Sequence, residues 1–338
     1  MEKATVYFTP VLTPENVTKL FKLLNKELPG KVAIKVHSGE KGNQNFLRPE
    51  FMKPTIDAVG GTIVECNTAY DGARNTTDKH LKLLEYHGWS HYFPVDLMDS
   101  EGPDLELPIP GGKQIHKNLV GKNLANYDSM LVLSHFKGHP MGGFGGALKQ
   151  LSIGCGSSAG KAWIHGAGKP EEMWSTDQIA FLESMADAAS SVVKYFAGNI
   201  AYINVMKNMS VDCDCCAVAE DPKIGDIGIL ASLDPIAVDQ ACLDLVYASD
   251  DPGRDHLVER IESLNGVHTV EAAADQVRQS SRRYAKRQLT WFGRWQDALR
   301  IVWDKVPDME KARHASTEFL HSRVYHNAGH PDDGCDTL

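Results

Sequence analysis

The sequence predicts an α/β protein: a mainly parallel, doubly wound sheet with flanking helices, followed by an α-helical C-terminal tail. Three observations lead there. Short β-rich runs alternate with amphipathic helical patterns, the order that builds a parallel sheet. Polar loops follow the predicted strands at 37–48, 66–76 and 134–149, where strands of such a sheet present ligand sites at their carboxyl ends. From about Asp275 the strands stop, and residues 278–313 carry 10 basic against 4 acidic side chains.

The elements follow in order. Val6–Thr9 reads as a strand, and Thr13 caps a helix with Pro14 at its first position, running to Gly30. Lys31–Val36 is a second strand, opening into a loop with His37, Lys41 and Asn45. Pro49–Val59 is a helix, Thr62–Glu65 a strand, and Asp78–His87 a helix closed by Gly88. His91–Leu97 is a candidate strand, and 105–120 a small β excursion around Pro110-Gly111-Gly112. The apolar run Met130–Leu133 reads as a buried strand ending at Ser134. Thr176–Phe196 is a long amphipathic helix, Ile200–Val205 and Ile227–Ala231 are strands, and Asp234 caps the helix begun by Pro235. Residues 1–274 therefore read as one α/β domain, with a possible sub-domain split near 170–200. Residues 275–338 read as a basic helical tail with three of the six tryptophans (Trp291, Trp295, Trp303) and a disordered end.

Composition narrows the classes. The 338 residues are 42% hydrophobic and 23% charged, an ordinary globular balance. No apolar run approaches the roughly 20 residues of a membrane span, and the N-terminus lacks a signal-peptide pattern, so the expected location is cytoplasmic. The net charge of −9 splits into +2 for residues 275–338 and −11 for the rest. An acidic body argues against nucleic-acid binding, while the Arg/Trp mix of the tail leaves weak RNA contact open. Seven cysteines, an odd number with three inside 213–216, point to reduced thiols rather than a disulfide framework.

The densest chemistry lies at 130–161. His135 and His139 sit four apart, and Gly142, Gly143, Gly145 and Gly146 precede Lys149. Glycines so packed let backbone approach a ligand. Imidazoles beside them can bind a metal or move protons, and the lysine can hold an anion or form a covalent link. These three are the candidate catalytic residues, with the four glycines, Asp71, Arg74 and His165 as ligand-binding candidates. His80 and His87 lie on an ordinary amphipathic helix and read as structural. GCGSSAGKA fails as an ATP P-loop, because only three residues separate Gly156 from Gly160 and Ala162 follows Lys161. Cys213, Cys215 and Cys216 are soft-ligand candidates, with Cys155 as a partner from elsewhere in the fold.

SHFKGHPMGGFGGALKQLSIGCGSSAGK, CNTAYDGARNT, and INVMKNMSVDCDC with DIGILASLDPIAVDQACLDLV together resemble the family known as domain of unknown function 362, over about residues 3–274. The resemblance implies an iron–sulfur character, since members often carry ferredoxin-type cysteine motifs; this chain has no such insert. Gly145-Gly146-Ala147-Leu148-Lys149 is more distantly similar to the G-G-x-K segment of nickel-pincer lactate racemases, with one extra residue before the lysine. That similarity implies Lys149 and histidines at a cofactor site. In the tail, SSRRYAKRQLTWFGR (280–294) resembles the carboxyl-terminal region of tRNA dimethylallyltransferases. Those enzymes need a P-loop, and none is present.

Three functions follow, in order of expectation. The first is a redox protein linked to an iron–sulfur cluster or other transition metal, working on a small-molecule substrate or a redox partner protein. The second is a cofactor-dependent isomerase or acid–base enzyme on small carboxylates. The third is a non-catalytic metal- or cofactor-binding protein.

Overall fold

The computed structural model describes residues 4–279 and, beyond them, residues 310, 311, 313, 314, 317 and 318. The alternation is the predicted one. β1 (Val6–Thr9) precedes α1 (Pro14–Leu23), and β2 (Val32–Lys35) precedes α2 (Pro49–Val59). β3 (Thr62–Glu65) is followed by α3 (Thr77–Tyr86), the single turn α4 (Trp89–Tyr92) and β4 (Val95–Leu97). A hairpin, β5 (Leu105–Pro108) and β6 (Lys117–Val120), leads to the central strand β7 (Ser129–His135). A second hairpin, β8 (Lys137–His139) and β9 (Gly143–Gly145), leads to α5 (Ala147–Lys149), α6 (Ser158–His165) and α7 (Gln178–Phe196). β10 (Ile200–Met206), β11 (Gly228–Ser232), α8 (Pro235–Ala248) and α9 (Arg254–Ser263) follow, and residues 268–279 are helical.

Seven strands form one sheet in the order β1-β11-β10-β7-β2-β3-β4. The pairs β10–β7, β7–β2, β2–β3 and β3–β4 are parallel, while β11 runs antiparallel between β10 and β1. From β2 the chain winds outward through β3 and β4; from β7 it winds the other way through β10. The strand order therefore reverses between β2 and β7, where the loops leaving two adjacent strands part and open a crevice.

Side chains of successive strand residues point to opposite faces, and both faces are buried. Ala33, Met130, Val132 and Tyr202 join one core with Val192 and Phe196 of α7 and Val238 and Leu243 of α8. Ile34, Leu131, Leu133 and Ile203 join the other with Val17 and Leu20 of α1 and Met52 and Ile56 of α2. Since α7 packs into the main core, the unit Met1–Arg278 carries no division near 170–200. The second unit is Gln279–Leu338. Most of it, including the tryptophan-bearing stretch and the polar end, lies outside the described residues. Among the described residues no helix is long and apolar enough to cross a membrane.

Two caps stand as predicted. The Thr13 side chain accepts from the Asn16 N–H, and Asp234 accepts from the N–H groups of Ile236 and Ala237. Other details differ. The first helix stops at Leu23 rather than Gly30, and two residues on Asn25 turns left-handed, at φ 47°, a conformation asparagine tolerates. The candidate strand at 91–97 begins as a helical turn, because Trp89 drives its indole into the core and leaves only Val95–Leu97 to pair with β3. The glycine run does not pass directly into a helix. It folds as the β8–β9 hairpin, whose bend needs Gly143 at φ +75°.

Candidate functional site

The loops leaving β2, β3 and β7 meet over a cavity of about 220 Å³, joined there by the 213–216 loop that follows β10. His37 stands two residues beyond the end of β2. Glu65 ends β3, and Thr68, Tyr70 and Arg74 follow it. Lys137, His139, Gly145, Gly146 and Lys149 come from the hairpin and α5, and Lys161 and His165 from α6. The convergence expected of loops 37–48, 66–76 and 134–149 is therefore what the fold builds.

Three buried ion pairs brace these walls. Lys35 reaches Glu65 at 2.8 Å, Arg74 reaches Glu40 at 3.1 Å, and Asp214 takes Lys137 at 3.0 Å and His135 Nδ1 at 2.9 Å. Burial alone would raise the acids. Lys35 together with the other basic groups around it outweighs burial at Glu65, and His135 with Lys137 does so at Asp214, so both carboxyls sit well below the usual range. Lys137 is raised in return: burial opposes its charge, but Asp214 and Cys213 prevail. Lys149 and Lys161 are different, having no carboxylate partner among the described residues. Lys149 Nζ lies 3.4 Å from Cys213 Sγ, and Lys161 Nζ donates only to the carbonyls of Gly156 (2.7 Å) and Cys66 (3.4 Å). With Arg74 and Lys137 they give the lining four basic side chains against the carboxylate of Glu65. Glu40 and Asp214 already answer Arg74 and Lys137, which leaves Lys149 and Lys161 as the basic groups facing an incoming anion, the second pushed down by burial.

α5 is aimed from outside the cavity. Asp239 of α8 accepts from the N–H groups of Ala147 (2.7 Å) and Leu148 (2.9 Å) and from Asn204 Nδ2 (2.7 Å). It caps a helix to which it is not adjacent in sequence, and that helix ends on Lys149. Gly146 is required here, since a Cβ would lie 2.3 Å from the Asp239 carboxylate. Burial raises the Asp239 carboxyl to about 6.

The histidines divide by the ring nitrogen they offer. His139 Nδ1 accepts from the backbone N–H of Met141 (3.1 Å) and Gly142 (2.8 Å), and His37 Nδ1 accepts from Gly39 N–H (3.1 Å). In a neutral ring the proton then sits on Nε2, which in His139 lies 4.0 Å from Cys215 Sγ. His165 is the opposite. Its Nδ1 donates to the Lys161 carbonyl at 2.7 Å, leaving Nε2 as a lone pair with no partner among the described residues. Its ring stacks on Phe181 at 4.9 Å. Burial, the largest influence on all three, lowers His139 to about 4 and His165 to about 3, and pushes His37 down as well. All three are neutral imidazoles near pH 7.

Cys213 lies under the cavity, fully buried. Burial would raise its thiol, but the hydrogen bond from Cys215 and the neighbouring ammonium groups of Lys149 and Lys137 push it well below the usual range. Cys215, its hydrogen-bond donor, is pushed up and stays a thiol. His139, Cys213 and Cys215 form a group that could hold a metal, with ligand atoms all within 4.8 Å of one another. The two sulfurs suit a soft transition metal. His139 fits less well: as posed it offers an N–H, whereas a ligating histidine donates from its far nitrogen and coordinates with the near one.

The sequence candidates thus separate. His139, Lys149, Arg74, His165, Gly145, Gly146, Cys215 and Cys216 line the cavity. His135 does not; Asp214 and the Lys207 carbonyl engage its two nitrogens, and it serves as a brace. Gly142 and Gly143 form the hairpin bend, and Asp71 is exposed, bonded to Asn75. Cys155 and Cys216 fall outside the metal-ligating group, so among the described residues no four-sulfur set is assembled. Cys155 is buried near Cys66, whose Sγ donates to its carbonyl at 3.5 Å, and burial raises its thiol to about 11. His37, Glu65, Lys137, Lys161, Tyr70 and Trp174 also line the cavity and were not singled out as site residues. The position of His37 just past a strand end was the available signal.

These buried histidines make stability pH-dependent. His80, His139 and His165 bind protons near pH 3 to 4 when folded but near 6.5 when unfolded. Between those values the unfolded chain holds more protons, so stability rises with pH. Asp239, raised to about 6, opposes this as a single group. The melting temperature is expected to be level above about pH 7 and to fall steadily from about 6.5 toward 4. A melting temperature unchanged between pH 7.5 and 5 would contradict the assignment.

No curated protein matches the chain. Among solved structures it is similar to the lactate racemase apoprotein from Thermoanaerobacterium thermosaccharolyticum, at 14% identity and a TM-score of 0.45, over 71% of this chain and 56% of that one. It is also similar to a protein from Thermotoga maritima, at 12% identity and a TM-score of 0.41, over 71% of this chain and 60% of that one. The chain thus spans well under two thirds of either structure, and likeness at this level says nothing about activity. An IPP transferase model matches residues 256–295, the segment reaching into the tail. The domain of unknown function DUF362 matches residues 32–244, from the first strand of the cavity wall to the helix that carries Asp239. With more than half of its length covered, the chain belongs to the DUF362 family.

Proposed function

We propose that this protein is an acid–base enzyme that removes and returns a proton beside the carboxylate of a small organic acid, as an isomerase does. The observation that carries this reading is the opposed pair of neutral histidines in a cationic cavity. His165 offers a lone pair and His139 an N–H. Neutral imidazoles of fixed and opposite tautomer are a general base and a hydrogen-bond donor without further rearrangement. Lys149, bonded to the Cys213 sulfur, and Lys161, bonded to two carbonyls, lack carboxylate partners among the described residues and can turn remaining N–H groups to the acid's carboxylate and to the charge that develops as the proton leaves. The test is solvent exchange. The full chain is incubated in D₂O with a panel of 2-hydroxy and 2-amino acids, and loss of the Cα proton is followed by NMR. Exchange that Lys149→Ala abolishes supports the reading; no exchange across the panel overturns it.

A redox or metal-dependent reading draws on a separate observation, the grouping of the Cys213 and Cys215 sulfurs with His139. A soft metal bound there would supply Lewis acidity or an electron beneath the seated anion. Metal and sulfide content with an absorption spectrum, on protein purified without oxygen, distinguishes the cases. Iron with sulfide favours the redox protein, and nickel or zinc alone favours a metal-assisted isomerase.

A further inference from the structure

The cavity has two chemically different ends. Its buried end carries the charges, with Arg74 and Lys137 each only 3% exposed and Lys161 7% exposed. Its accessible side is largely apolar, with half-buried Lys149 the exception among the four cations. Among the lining residues that reach solvent, Trp174, Tyr70, Pro140, Met141 and Met173 carry no charge. Trp174 is the most telling, because 66% of a large apolar side chain is left in water. The turn that bears it is nonetheless fixed: Thr176 N–H and Oγ1 both bond the Glu172 carbonyl, at 2.9 and 2.8 Å, and Ser175 N–H bonds it at 2.8 Å. Tyr70 faces the indole at 6.2 Å between centroids, tilted by 59°. The phenol end of Tyr70 is tied inward, accepting from Arg74 Nη2 at 3.4 Å. Two aromatic faces therefore stand at the mouth, one anchored to the cationic end and the other held open on a rigid turn.

A small aliphatic anion such as lactate would be served by the buried end alone and would leave this aromatic mouth unused. Trp174 and Tyr70 already touch each other at that spacing, so a flat ring would lie against the exposed face of the Trp174 indole, beside Tyr70, in the offset or tilted arrangement that aromatic pairs favour. Resting on the acid–base reading above, we infer that the substrate is an aryl-bearing organic acid: a carboxylate for the lysines, a reacting carbon at the histidines, and a planar ring at Trp174 and Tyr70. Trp174 and Tyr70 are then specificity-determining residues, choosing ring-bearing acids over aliphatic ones of the same head group.

The test compares mandelate with lactate, which share the 2-hydroxy acid head and differ in the ring. Calorimetric titration of the full chain with each is expected to give mandelate about tenfold tighter binding, the size of an aromatic contact added to apolar burial. Trp174→Ala should bring the ratio of the two affinities toward one, and Trp174→Phe should retain most of it. Because Trp174 is exposed, neither change disturbs the core, which an unchanged melting temperature verifies. Equal affinities in the parent chain, or a Trp174→Ala change that weakens both acids alike, would overturn the ring site while leaving the acid-binding reading in place. Binding of neither acid would remove the reading beneath it and the ring site together.

Discussion

Replacing Asp214 by alanine is expected to destabilise the protein by about 3–5 kcal/mol, the range for breaking a buried ion pair from one side. Asp214 is 1% exposed and bonds two buried partners, Lys137 and His135. Removing it leaves both in the interior without a carboxylate partner among the described residues. The Asp214 backbone carbonyl, which the substitution leaves in place, accepts from Glu40 N–H at 2.7 Å where the loop after β10 meets the loop after β2, so the loss reports the side chain alone. Equilibrium denaturation with urea, with Asp214→Asn as the shape-preserving companion, measures the effect. The asparagine keeps an acceptor but not the charge, and should fall between parent and alanine. A loss under about 1 kcal/mol for alanine would mean that the cluster is hydrated, as exposed pairs are.

His165→Gln is expected to lower the proton-exchange rate by about 10²–10⁴, the usual contribution of a positioned general base. The carboxylate would still seat on the lysines, so the loss should appear in kcat far more than in KM. The same assignment fixes the pH profile. A base must be unprotonated to act, and His165 is held near 3 by burial, so activity should be flat on its acidic side from about pH 8 down to about 5. An acidic limb near pH 6.5 would assign the base to another group. Retained exchange in His165→Gln would do the same.

The different placement of the two histidines shows where residue type stops being informative. His135 and His139 are equivalent in sequence, each beside a strand end and four apart. One is consumed by Asp214 and the Lys207 carbonyl, while the other lines the cavity. Which nitrogen carries the proton is set by groups that approach in space: two backbone N–H groups at His139, one carbonyl at His165. The cysteines follow the same rule. Cys213 and Cys215 meet because two residues in one loop suffice, whereas Cys155 needed a long-range contact with that loop, and the fold places it by Cys66 instead.

What the sequence alone determined is the class and the address. Period-two and helical patterns, Pro14 and Pro235 behind their caps, and the continuous apolar run of β7 prescribe a parallel sheet buried on both faces, with loops gathered at its carboxyl edge. These are local properties, legible because backbone geometry and burial act residue by residue. The tertiary structure decided the rest: the reversal between β2 and β7, the carboxylate of Asp239 that caps a helix 92 residues away from it in sequence, and which lysines keep an acid partner. Each depends on what a side chain meets across the fold, and electrostatics in a dry interior is set by those meetings rather than by the residue's own chemistry.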